Sequence, residues 1–125
     1  MGVTNFDVAV EAIDINTTVK ANAATADMDV ADFEKNNTNT GAGGTIVLTL
    51  PAAFSLTGQK TRVYVTVAQV VRLLPQTGEK IYLAGSGTAS KYLNIAGTIG
   101  NYCDVYCDGI SFYVTGFSGV VTKEA

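Results

Sequence analysis

The sequence has no histidine and no tryptophan, and it contains little proline, cysteine or charge. Without histidine, the side chain that most often serves as a general base is missing, and no Ser-His-Asp triad can form. Charged residues make up 15% of the 125 residues, against roughly 25% in an ordinary soluble domain. A chain with so few charges often hides much of its surface in an assembly, although a monomer coated with Thr and Asn is also possible.

Long apolar runs and basic clusters are missing as well. No run approaches the roughly 20 residues of a membrane-spanning helix. The 8 basic and 11 acidic residues give a net charge of −3. The one close basic pair, Lys60 and Arg62, does not form the extended basic surface that binds the phosphates of a nucleic acid. Residues 1–7 show neither the basic nor the apolar region of a signal peptide. We therefore expect a protein made in a cytoplasm that binds neither nucleic acid nor membrane.

The two cysteines, Cys103 and Cys107, stand four residues apart. In an extended strand this spacing covers roughly 13 Å, whereas a disulfide needs Cα atoms within about 7 Å. The chain offers no histidine or further cysteine to complete a metal site. The pattern favours two inert thiols on one face of a strand, with an intermolecular bridge as the alternative.

The composition that is present indicates one folded domain with a core. Hydrophobic residues make up 47%, and 13 glycines interrupt the apolar runs. The Asn-, Thr- and Gly-rich stretch 36–44 reads as a loop and places a boundary near Thr40. We predict an N-terminal attachment segment over residues 1–40 and a β-sandwich domain over residues 41–125.

Apolar residues alternate with period two in most of the second part of the chain, as they do in half-buried strands. The spacing of these runs, roughly 10 residues, is typical of sandwiches and barrels. Asp108-Gly109 indicates a type I′ hairpin turn, in which both central residues have positive φ. The fold class is therefore all-β, a single-domain antiparallel β-sandwich or jelly-roll-like barrel with a short N-terminal extension. The predicted strands cover residues 45–50, 62–67, 70–74, 79–84, 92–95, 101–107 and 111–115.

Three carboxylates, Asp27, Asp29 and Asp32, form the densest acidic cluster. They fit the start of a short helix capped by Thr25, and a strand over residues 32–36 is about as well supported. A calcium site is the alternative, but counting from Asp27 puts Asp32 where an EF-hand loop requires glycine. We expect no catalytic, metal-binding or cofactor-binding residue, and hence no enzyme.

Six tyrosines stand out among the aromatic residues. Tyr102 and Tyr106 share one face of a predicted strand with Asp104 between them. Aromatic side chains beside a carboxylate are typical of sugar-binding surfaces, and tyrosine is also enriched at subunit interfaces and in strands. Tyr102, Asp104 and Tyr106 are therefore a candidate exposed recognition surface.

The order of these motifs over residues 36–119 resembles the C-terminal β-structured modules of tailed-bacteriophage fibre proteins and the related head-decoration proteins. An Asn/Thr/Gly stretch precedes a strand ending in Leu-Pro, and a loop to a glycine leads to paired strands. The series closes with Asp-Gly, an aromatic strand and a final glycine. These motifs lie at Asn36 to Thr40, Leu48 to Pro51, Gly58, Arg62 to Leu74, and Tyr106 to Gly116.

The resemblance implies a homotrimeric structural protein of a virion. As a decoration (cement) protein it would bind the major capsid protein on the outer head surface, after assembly in the host cytoplasm, and stabilise the head. The alternative is a tail-fibre or receptor-binding tip that recognises a cell-surface glycan, and a free carbohydrate-binding module or small enzyme is a third class. The residues expected to contact the capsid or another subunit are Phe6, Val8, Val10, Ile13 and Ile15.

Overall fold

A computed structural model describes residues 18–124, and its regular structure is almost entirely strand. The helical elements in this part of the chain are one turn, α1 (Val30–Phe33), and a 3-10 turn (Ala53–Ser55). The strands are β1 (Val19–Ala21), β2 (Ala26–Asp27), β3 (Asn36–Thr38), β4 (Ile46–Thr49), β5 (Lys60–Tyr64), β6 (Val71–Leu74), β7 (Ile81–Tyr82), β8 (Leu93–Ile95), β9 (Tyr102–Cys107), β10 (Phe112–Phe117) and β11 (Val121–Lys123). The predicted all-β class is confirmed.

The strands form two sheets that share one core. The six-stranded sheet has the order β1-β3-β5-β9-β10-β7, and the five-stranded sheet has the order β11-β8-β6-β4-β2. In the central strands, alternate residues point inward, as in Ile46 and Leu48 of β4 and in Val63 of β5. These side chains belong to a single buried cluster, so burial of both inner faces holds the sheets together.

The prediction of an antiparallel fold is wrong for much of the molecule. The first six strands alternate between the sheets, so that β1, β3 and β5 run parallel in one and β2, β4 and β6 in the other. Among residues 18–124, five of the nine strand pairings are parallel. The period-two pattern reports which face of a strand is buried, but it contains no information on strand direction.

Residues 18–40 belong to the sandwich rather than to a separate attachment segment. They supply β1, β2 and β3, and Met28 and Phe33 lie in the core. The helix predicted from Thr25 begins instead after Asp29, and β3 begins at Asn36. The Thr25 hydroxyl does not cap a helix, because its Oγ1 accepts the Val47 N–H at 3.0 Å.

The β9–β10 hairpin differs in detail from the predicted type I′ turn. Gly109 has φ 95°, but Asp108 has no positive φ. The Asp108 carboxylate instead accepts the N–H groups of Ile110 and Ser111, which gives a longer loop closed by a side chain. β10 continues through a bulge near Thr115, and β11 was not predicted at all.

Candidate functional site: the tyrosine face

Five of the six tyrosines lie on the outer face of the six-stranded sheet. In β9, Cys103, Val105 and Cys107 point into the core, so Tyr102, Asp104 and Tyr106 point outward. The register places tyrosine opposite tyrosine on neighbouring strands, which brings distant residues together. We call this surface the tyrosine face; its tyrosines are Tyr64, Tyr82, Tyr102, Tyr106 and Tyr113.

One row of rings crosses β7, β10 and β9. The Tyr82 and Tyr113 rings are stacked, with centroids 5.4 Å apart and an interplanar angle of 13°, and Tyr106 lies 6.5 Å beyond Tyr113. Gly87 also lies close against the Tyr82 ring, since a Cβ there would be 2.6 Å from a ring carbon. The ring faces that a sugar would need are therefore partly covered by neighbouring groups.

An Arg62–Asp104 ion pair occupies the centre of the tyrosine face. The guanidinium donates from Nε to Oδ1 at 2.5 Å and from Nη2 to Oδ2 at 2.6 Å. It also lies 4.5 Å from the Tyr102 ring centroid and donates to the Tyr64 hydroxyl at 3.3 Å. The hydrogen bonds to Asp104, and then to Tyr64, raise the pKa of Arg62. Asp104 is buried rather than exposed as predicted, and both of its oxygens bond Arg62, so this carboxylate supports the face rather than offering a free acceptor to a ligand.

Asp108 has a structural role at the edge of the face. Besides the two turn N–H groups, its carboxylate accepts the Tyr113 hydroxyl at 2.9 Å. The N–H groups of Ser111 and Ile110 lower the pKa of Asp108, and the bond to Asp108 raises the pKa of Tyr113. The carboxylate is thus ionised at neutral pH and fixes both the turn and one ring.

The cysteines are buried free thiols on the inner face of β9, as the spacing predicts. Burial, and then the charge of Asp104, raises the pKa of Cys103 to about 12. Burial also raises the pKa of Cys107, whose Sγ donates to the Ala53 carbonyl at 3.3 Å. In both residues, burial and the raised pKa therefore disfavour the thiolate, which is the reactive form.

Of the three carboxylates in the acidic cluster near α1, Asp32 is held in ion pairs. Asp32 pairs with Lys35 at 2.7 Å and with Lys20 at 3.6 Å. The hydrogen bond from Lys35 lowers the pKa of Asp32. Within residues 18–124, no three His, Cys, Asp or Glu side chains are grouped as metal ligands would be.

Several large apolar side chains outside the strands are exposed, and the sequence analysis did not predict them as contact residues. Phe54 is 80% exposed and Ile110 78%, at the end of the sandwich where β9 stops, and Ile99 and Val120 are exposed at the other end. Ile99, Ile110 and Val120 each adjoin a glycine outside the alternating strands, a signal that was available in the sequence. The predicted contact residues Phe6, Val8, Val10, Ile13 and Ile15 lie outside the described part of the chain.

Comparisons with family models and with curated proteins identified no relative of this chain. No protein-family model matches the chain, and no curated protein matches its sequence. Across the described residues, no helix is both long and apolar enough to cross a membrane.

Proposed function

We propose that this chain is a structural virion protein, a decoration protein that binds the outer surface of a virus head and stabilises it. The proposal rests on the resemblance of residues 36–119 to phage modules and on one structural observation. Large apolar side chains are left exposed at both ends of the sandwich, whereas Asp104 and Asp108 are engaged in structural contacts and both cysteines are buried. Such a molecule works by contact with other proteins.

The engaged groups support an adhesive role. Asp104 is held by Arg62, Asp32 by Lys35 and Asp108 by its own turn. Catalytic sites depend on groups poised to exchange a proton or to attack a substrate, and the oxygens of these carboxylates are occupied by hydrogen bonds instead.

We further propose that the protein is a homotrimer. Half-buried apolar residues such as Val47 and Leu74 lie on the outer side of the five-stranded sheet, where a neighbouring subunit can cover them. Light scattering at micromolar concentration is expected to give three times the chain mass of 13.0 kDa. A clean monomer under the same conditions would contradict the trimer and weaken the virion proposal.

Immunogold electron microscopy of virus particles, with an antibody against this chain, tests the function directly. We expect label spread over the head, together with loss of head stability to heat or osmotic shock in particles that lack the protein. Absence of label from every part of the particle would overturn the virion proposal. Preimmune serum on the same particles is the control.

The second candidate function is that of a tail-fibre tip module that recognises a glycan. The tyrosine face favours it, because polar-tipped rings lie beside a charged pair on one open sheet face. Label confined to the tail tip would favour this function over decoration. Tyr106→Ala would then be expected to reduce particle adsorption to cells without changing the label.

A further inference from the structure

Among residues 18–124, one end of the sandwich carries no charged residue in its loops. The strand registers place at this end the last residues of β1, β3, β5, β8 and β10. They also place there the first residues of β2, β4, β6, β9 and β11. We call this surface the uncharged end. Its loops are residues 22–25, 39–45, 65–70, 96–101 and 118–120, none of which contains Asp, Glu, Lys or Arg.

The opposite end is charged. Its loops and strand ends contain both signs, so the sandwich is strongly polarised along its strands. The charged residues there are Asp27, Asp29, Asp32, Glu34, Lys35, Lys60, Glu79, Lys80, Lys91, Asp108 and Glu124. Depletion of charge, more than bulk hydrophobicity, marks the core of protein–protein interfaces.

Large apolar side chains accompany the missing charge. Ile99 is 65% exposed and Val120 63%, on two adjoining loops, and Phe117 at the end of β10 is 43% exposed. The Ala96 N–H donates to the Val120 carbonyl, and the Gly100 N–H donates to the Val65 carbonyl. These side chains thus form part of one surface rather than isolated exposed residues.

The loops of the uncharged end are held in place by buried asparagines. Asn39 donates to the carbonyls of Val67 and Gln69 and accepts the N–H groups of Thr66 and Val67. Asn101 donates to the Ala96 carbonyl, and Asn22 donates to the Thr38 carbonyl. Loops fixed in this way form a preorganised surface, which lowers the entropy cost of binding.

We infer that the uncharged end is the surface by which the protein docks end-on, and that its partner is an uncharged, apolar patch of the virus shell protein. This inference rests on the proposed decoration function. The uncharged end offers no cation for a phosphate or an acidic polymer. Its irregular loops present backbone polar groups, which hydrocarbon cannot satisfy and a protein surface can. End-on docking leaves the tyrosine face and the charged end exposed to solvent.

Sedimentation of the protein with particles produced without it tests the inference. The variants are Ile99→Lys and Val120→Lys at the uncharged end, with Ile110→Lys at the charged end as the matched control. Burying an unpaired ammonium is costly, so we expect binding by either uncharged-end variant to fall by about tenfold or more. The control should bind like the wild type. All three positions are exposed, so circular dichroism and unfolding midpoints should be unchanged.

The outcomes separate the inference from the function on which it rests. If the wild type fails to bind, the decoration function is overturned. If the wild type and all variants bind equally, the function stands and the docking surface is wrong. Loss of binding in Ile110→Lys alone would place the contact at the charged end. Conversion of a trimer to monomers by Ile99→Lys would show that the uncharged end joins copies of this chain, which also overturns the inference.

Discussion

Replacing Asn39 by alanine is expected to reduce the free energy of unfolding by about 2 to 4 kcal/mol. Asn39 is fully buried, and its side chain bonds four backbone groups of residues 66–69. Alanine would leave the Thr66 and Val67 N–H groups and the Gln69 carbonyl without this partner. Each buried group that loses its partner costs about 1 to 3 kcal/mol, and partial access of water reduces the sum.

Urea unfolding followed by circular dichroism measures the effect. Asn94→Ala is the matched control, since Asn94 is half-buried and its side-chain Oδ1 accepts one bond from Arg72. We expect this control to change the free energy of unfolding by about 1 kcal/mol or less. Equal effects of the two substitutions would show that Asn39 does not hold the loops. Asn39→Asp should be destabilising at neutral pH, because it loses both donors and buries a charge.

The Asn39 result bears on function as well as on stability. The side chain joins loop 39–45 to loop 65–70, and both belong to the uncharged end. If preorganisation of these loops aids docking, Asn39→Ala should also weaken particle binding under conditions where the variant remains folded. Ile99→Lys, by contrast, should weaken binding without lowering stability.

Much of the fold could be predicted from the sequence because burial imposes a simple alternation. Ile46, Leu48 and Leu50 point inward as their spacing requires, and β6, β8 and β9 lie close to the predicted runs. Short strands without strong alternation were either not predicted or predicted with the wrong bounds. β7 has two residues, and β2 contains Ala26 and Asp27, which are poor strand formers held by pairing with β4.

The parallel pairing of the first six strands, which alternate between the two sheets, could not be predicted. It depends on pairings between residues far apart in sequence. Asn37 illustrates the point: it is fully buried, and its Nδ2 donates to the Thr61 hydroxyl and to the backbone carbonyls of Asp32 and Lys35. An asparagine in an Asn/Thr-rich stretch indicates a loop on local grounds. Its role as a buried polar bridge between strands follows from the tertiary structure alone.

The candidate site was predicted in part. The shared face of Tyr102, Asp104 and Tyr106 follows from period two, and the structure places them together. The pairing of Arg62 with Asp104 joins residues 42 apart, and the stacking of Tyr82 on Tyr113 joins β7 to β10. Neither contact could be inferred without the strand order, yet both determine how much of the face is free to bind a ligand.

Replacing Phe112 by alanine is expected to reduce the free energy of unfolding by about 3 to 5 kcal/mol, the largest effect among these predictions. Phe112 is fully buried in β10, and its ring lies 6.1 Å from that of Phe33 in α1. The substitution removes buried apolar surface and leaves a cavity between the helical turn and the six-stranded sheet, which the surrounding strands can fill only partly.

Phe54→Ala is the matched control, because the same side chain is removed from a position that is 80% exposed. Its free energy of unfolding should change by about 0.5 kcal/mol or less. Urea unfolding of both variants measures the difference. Similar losses in the two variants would contradict the core assigned to β10 and α1. Selective loss in Phe112→Ala would show that the hydrophobic residues of this chain divide between a core that holds the fold and loops that remain available for contact.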